Sequence, residues 1–292
     1  MFDRFVVADW SANSTPKQGR DSIWIAVADA AGVTTLNPAT RAEAEARLHD
    51  IVDASAGVRT LIGIDVSLGC PSGTAAALGL AGDHPWRSTV EALSALVTDD
   101  DRNTNNRFAV AAELNARMTG GPGPFWGCPP RAASATLAPT KPSVFEPVAE
   151  WRTVEEVLRS QGRRPFSVWQ LLGAGAVGGQ SLLGIPMVNR LLQRWPARVA
   201  VWPTTTGLTV PEPVAGSVVI AEVWPSMMEP MSVDAGEVGH MVRDERQVCS
   251  TVAWMVELGA TGALESLFTP DVADAIRPVV EREEGWVLGV TL

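Results

Sequence analysis

Four carboxylates stand where a charge should be costly. Phe5-Val6-Val7-Ala8 runs into Asp9, Leu61-Ile62-Gly63-Ile64 into Asp65, and Val218-Val219-Ile220-Ala221 into Glu222. Asp244 precedes by one helical turn an apolar stripe of Val248, Val252 and Met255, which puts it on a face that packs inward. An ionised carboxylate at the end of a buried strand gives up hydration, and a hydrogen bond, a cation or a metal must offset that loss. One such acid reads as a cap on the next turn. Three of them, with a fourth on a facing helix, read as a shared site. Oxygen ligands suit hard divalent cations, so the expected occupant is Mg²⁺ or Mn²⁺ on Asp9, Asp65 and Asp244, with Glu222 completing the shell or positioning water. Such an ion polarises a phosphoryl oxygen and activates water, which is the chemistry of phosphoryl or phosphodiester cleavage.

Two other segments offer phosphate contacts. Asp9-Trp10-Ser11-Ala12-Asn13 followed by Lys17 suits a hairpin cradling phosphate, although Ser11 and Asn13 are also ordinary turn formers. Asp65-Val66-Ser67-Leu68-Gly69 suits a second such turn. Gly173-Ala174-Gly175-Ala176-Val177-Gly178 has the G-x-G-x-x-G spacing. A dinucleotide site needs an acid roughly twenty residues further, at the end of the next strand. Residues 199–202 end instead in Pro203 and Thr204, and Pro186 is expected to interrupt the helix between. What survives is a glycine turn around Gly175 binding an anion through backbone N–H groups at a helix start, flanked by Gln170 and Gln180. His240, one turn before Asp244, is a weaker candidate base; Met227, Met228 and Met231 read as packing. Asp99-Asp100-Asp101 reads as a solvated turn.

The elements that must position these residues follow from pattern. Residues 5–8, 23–27 and 33–36 form an antiparallel meander, residues 40–54 a helix capped by Thr40 with Glu43 three positions on, and 61–64 the next strand. Helices are expected near 88–97, 181–195 and 244–258, and strands at 199–202 and 218–221. The β-β-β-α-β order gives one α/β domain over 1–292, a mixed sheet of antiparallel meander plus parallel strands flanked by helices. Residues 99–165, dense in Pro and Gly, read as an irregular insertion and potential lid, with Phe125 and Trp126 seeking burial.

Composition narrows the function. The chain has 292 residues, 46% hydrophobic and 19% charged, ordinary for a globular enzyme. A net charge of −10 disfavours a long nucleic acid and favours a nucleotide-like or phosphorylated small molecule. Arg159, Arg163 and Arg164, and then Arg190, Arg194 and Arg198, are the basic clusters; either suits a phosphate, but both read first as solvated helix faces. Cys70, Cys128 and Cys249 lack C-x-x-C spacing, which argues against zinc or a disulfide framework and for a reducing compartment. The first residues enter an apolar strand without signal-peptide grammar, so a cytoplasmic protein is expected. The uncharged stretch 165–189 is broken by Gln170, Gln180, Pro186 and glycines, so it reads as buried in protein and not in a membrane. With no tyrosine, Tyr is excluded as acid or nucleophile. Nothing in the sequence sets an oligomeric state.

In order along the chain, Val6-Val7-Ala8-Asp9-Trp10, Ile62-Gly63-Ile64-Asp65-Val66-Ser67-Leu68-Gly69-Cys70-Pro71, Ile220-Ala221-Glu222-Val223-Trp224-Pro225 and Asp244-Glu245 carry a resemblance. The chain resembles the ribonuclease-H-like superfamily, and within it the "domain of unknown function 429" family of predicted nucleases. The resemblance implies a ribonuclease-H-like sheet and a metal-dependent nuclease-like activity, with the family's acids falling on Asp9, Asp65, Glu222 and Asp244. Two other readings share the fold: an ATP-dependent phosphotransferase of the actin and sugar-kinase type using the Asp9–Lys17 hairpin, and a non-catalytic binding protein.

Overall fold

The computed structural model describes residues 2–80, 82–173, 175–227 and 241–292. Six strands, β1 (Arg4–Asp9), β2 (Trp24–Asp29), β3 (Gly32–Leu36), β4 (Thr60–Asp65), β5 (Val199–Trp202) and β6 (Val218–Glu222), form one mixed sheet in the order β3-β2-β1-β4-β6-β5. β1, β2 and β3 pair antiparallel, whereas β4, β6 and β5 run parallel to β1. The β1, β4 and β6 sequences are continuous apolar runs because both faces of these strands are covered.

Side-chain alternation divides the core in two. Val6, Ala8, Ile62, Ile64 and Ile220 face one side, and Phe5, Val7, Leu61, Val219 and Ala221 face the other. The first side is covered by α1 (Arg41–Asp53), α3 (Pro85–Leu96), α4 (Arg107–Met118) and α6 (Val177–Arg194), with a short α2 (Thr74–Ala77) between the first two. The second is covered by α5 (Thr153–Ser160), α7 (Arg243–Thr261) and the C-terminal residues Trp286, Val287, Leu288 and Val290. α1 begins as expected: Thr40 Oγ1 accepts from Glu43 N–H at 3.2 Å, and Glu43 reaches back to Ala39 N–H at 2.8 Å.

Three expectations change. α6 continues through Pro186, because burial of the residues on either side offsets the missing hydrogen bond. Residues 99–165 are irregular only in part. α4 and α5 lie within them, Val110, Leu114, Phe125 and Val148 join the first core, and the Phe125 ring packs edge-on against Trp169 at 4.8 Å. The many Pro and Gly residues hid two short helices whose apolar faces carry the information. The triplet 99–101 is only partly a solvated turn. Asp100 caps its own turn, but Asp99 forms a two-pronged pair with buried Arg41 at 2.5 and 2.6 Å. The three cysteines are free and buried. No helix among the described residues is long and apolar enough to cross a membrane.

Candidate active site

The parallel register decides which acids meet. Asp9 on β1 is the direct partner of Asp65 on β4, so both carboxylates leave the same face of the sheet at its C-terminal edge. That face carries α7, whose first turn contains Asp244. The turn between β1 and β2 folds over the same edge, and Asp21 N–H donates to Asp244 Oδ2 at 2.5 Å. Asp21 holds φ at +53°, a left-handed conformation that is uncommon for a non-glycine residue. Nothing in the sequence marks Asp21, because its place depends on a turn meeting a helix 223 positions away.

Burial raises the Asp9 carboxyl well above the ordinary carboxylate range, and the charges of Asp65, Asp244 and Asp21 raise it further. Asp65 is pushed up to about 7, first by burial and then by the charge of Glu222. Two adjacent carboxyls that resist ionisation are what a cation would relieve. Asp9 and Asp65 fit a hard divalent ion in donor chemistry, and Asp244 stands beside them. Among the described residues, no three His, Cys, Asp or Glu side chains already stand close enough together to hold an ion. Asp244 Oδ2 is engaged by Asp21 N–H and would have to turn.

Glu222 has a different task. It is in register with Ile64, one residue short of Asp65, so the pleat turns it to the opposite face. Buried there, its carboxylate accepts from Arg152 at 2.6 and 2.8 Å, from Leu68 N–H at 2.9 Å and from Trp224 Nε1 at 3.3 Å. Those bonds occupy its lone pairs, so Glu222 locks the 65–69 turn and biases Asp65 by its charge, and does not join the cleft. Arg152 also grips Glu155, closing a buried ion network that sequence spacing did not reveal. The 65–69 segment, expected as a second phosphate turn, is tied down by this network.

Two cavities open along the edge, with Gly175 and Gln180 in the wall of both. The first, of about 410 Å³, is lined by Asp9, Ser11, Asn13, Asp21 and Arg107. The second, of about 340 Å³, is lined by Asp65, Arg163, Arg164, Phe166 and Trp224. Gly175 has φ +73°, and a Cβ there would lie 2.2 Å from the Phe166 ring, so both its conformation and its bareness are required. Gln180 donates to Trp10 O at 2.5 Å, which fixes the start of α6 to the end of β1.

Of the residues expected to bind substrate, Ser11, Asn13, Gly175 and Gln180 line a cavity. Lys17 does not: its amine lies 3.6 Å from Asp21, outside both linings. Gln170 also lies outside them, with its amide turned to Leu172 O at 3.2 Å. Arg163 and Arg164 are exposed, as expected, but lie past the end of α5 and also line the Asp65 cavity; Arg190 pairs with Glu45 and Arg198 with backbone carbonyls. His240, Met228 and Met231 lie outside the described residues. No protein-family model, curated protein or solved structure matches this chain.

Proposed function

We propose that this chain is a divalent-metal-dependent hydrolase, on a ribonuclease-H-like sheet, that cleaves a phosphoryl or phosphodiester bond in a nucleotide-like substrate. One observation carries the reading: Asp9 and Asp65 stand in direct register at the C-terminal edge of adjacent parallel strands, both held above their ordinary pKa. The meander β3-β2-β1 followed by parallel β4 supports the fold assignment, and the edge strand β5, placed outside β6, is an elaboration of it.

Asp9 and Asp65 would hold Mg²⁺ or Mn²⁺, with Asp244 within reach. Bound there, the ion supplies Lewis acidity toward a phosphoryl oxygen and lowers the pKa of water. The chain's own groups supply recognition. Phe166 is 47% exposed at the mouth of the Asp65 cavity, and with Trp224 it offers aromatic surface for a base. Arg163 and Arg164 set positive charge beside it, which suits a compact anion on an otherwise acidic molecule.

The test is turnover of a nucleotide panel and of bis-p-nitrophenyl phosphate with Mg²⁺, Mn²⁺ or EDTA, using wild type, Asp9→Asn and Asp65→Asn. Ion-dependent turnover that both variants abolish supports the proposal. Turnover that survives EDTA or both substitutions refutes it, as does none with any substrate.

A further inference from the structure

Arg107, the first residue of α4, is a buried cation without a counter-charge of its own. It is 7% exposed, and its Nη1 donates to Ser14 Oγ at 3.0 Å and Asn105 Oδ1 at 2.8 Å, both neutral groups. Its Nε is buried and has no hydrogen-bond partner among the described residues. The neighbouring acid, Asp99, is committed to Arg41 through both oxygens, so two arginines share one carboxylate. Burial lowers the Arg107 pKa to about 10, and the charge of Arg41 adds to the effect. The Phe108 ring lies 4.3 Å from the guanidinium carbon and steadies its plane.

Three donor elements converge on this group. α6 has no side-chain cap at Ala176, but Val177 N–H donates to Gly175 O at 2.8 Å and Gly178 N–H to Gln170 O at 2.9 Å, so the donor its first turn offers is the Gly179 amide. Gly179, in the first turn of α6, is close enough that a Cβ would stand 3.6 Å from Arg107 Nε and 3.1 Å from Ala12 Cβ. The Ser11–Ser14 turn completes the wall of the same cavity, with Asp9 and Asp21 also in its lining. The Gly179 amide, serine hydroxyls and a guanidinium without its own carboxylate are complementary to an oxyanion with several acceptor oxygens.

We propose that Arg107, the first turn of α6 and the Ser11–Ser14 turn form an anion subsite that holds a phosphate group in the cavity whose lining also includes Asp9. That this phosphate belongs to the substrate rests on the hydrolase reading above; that the subsite binds phosphate does not. Because Asp9 and Asp21 line the same cavity, their charges oppose the anion until a divalent cation sits between them. Phosphate and cation should therefore strengthen one another's binding by the same factor.

The experiment is calorimetric titration of the full chain with inorganic phosphate, at fixed ionic strength, with and without Mn²⁺. Wild type should bind phosphate, and more tightly when Mn²⁺ is present. Arg107→Gln should weaken phosphate at least tenfold. Arg107→Lys keeps the charge but loses the fork, so it should weaken phosphate several-fold, and it serves if the Gln variant fails to fold. Asp9→Asn should keep metal-free phosphate binding or tighten it while losing the Mn²⁺ enhancement. Equal phosphate affinity in wild type and whichever Arg107 variants fold overturns the subsite, as does no binding to wild type in either condition. Phosphate binding that depends on Arg107, in a protein with no turnover, keeps the subsite and sinks only the hydrolase reading.

Discussion

Replacing Asp65 by Asn should stabilise the ion-free protein at neutral and higher pH, and the gain should shrink as the solution is acidified. The folded protein raises this carboxyl from 3.8 to about 7, so the native state holds the proton more tightly than the unfolded chain. Below the ordinary pKa both states are protonated and the site has no effect. As pH climbs through the window between about 4 and about 7, the native state must ionise a buried acid, and its stability falls. Above that window the penalty is complete. A shift of this size corresponds to about 4 kcal/mol at 1.36 kcal/mol per pH unit, and solvent reaching the group through its cavity reduces this to about 2. Asn has no proton to lose, so the variant should exceed wild type by about 2 kcal/mol at pH 8 and by under 1 at pH 5. Urea unfolding in EDTA at pH 5, 6, 7 and 8 measures the difference directly. Saturating Mg²⁺ should raise wild type toward the variant at pH 8 and leave the variant unmoved. A variant that is less stable than wild type by about 1 kcal/mol at every pH would mean that Asp65 is only a turn cap.

Other substitutions test the supports of the site. Arg152→Ala should destabilise by about 3–5 kcal/mol, because Glu155 and Glu222 would remain buried without their cation; denaturant midpoints decide this, and a loss under 1 kcal/mol would break the account of the network. Gly175→Ala should cost at least about 1 kcal/mol from its positive φ and its clash with the Phe166 ring, with Phe166→Ala in the same chain recovering part of the loss. Thr40→Ala should lower stability by about 1 kcal/mol through the lost cap of α1, measured by thermal unfolding; a loss within error would mean that Glu43 sustains the helix start alone. Thr40→Ala leaves both cavity linings and the 65–69 turn intact, so its stability loss can be separated from a binding loss.

Much of the sheet was legible because β1, β4 and β6 are apolar runs that each end in one acid, and that pattern survives any detail of packing. What the acids do was not equally legible. Asp9 and Asp65 end their strands at the same register, but Glu222 ends one residue earlier against β4, and a one-residue offset moves a side chain to the other face. Strand registers are set by long-range pairing, so three acids that look equivalent in the sequence separate into a cleft pair and an ion-network member. Asp21 and Arg107 escaped notice for a similar reason. Each is an ordinary polar residue next to a turn, and each acquires its role only when the 10–22 segment closes over the starts of α4, α6 and α7. The glycine run 173–178 was visible as a motif, and the structure adds packing demands at Gly175 and Gly178. The helices within 99–165 were missed because α4 opens at Arg107 without a side-chain cap, and short apolar faces between Pro-rich stretches give little periodic signal.

The central claim is that Asp9 and Asp65 share one divalent ion, and anomalous diffraction from crystals soaked in Mn²⁺ addresses it most directly. A Mn²⁺ peak within about 2.0–2.4 Å of carboxylate oxygens from both residues, absent from Asp9→Asn crystals, is the expected result. A saturating soak that leaves the space between Asp9 and Asp65 empty, or that places Mn²⁺ only on surface carboxylates, would contradict it.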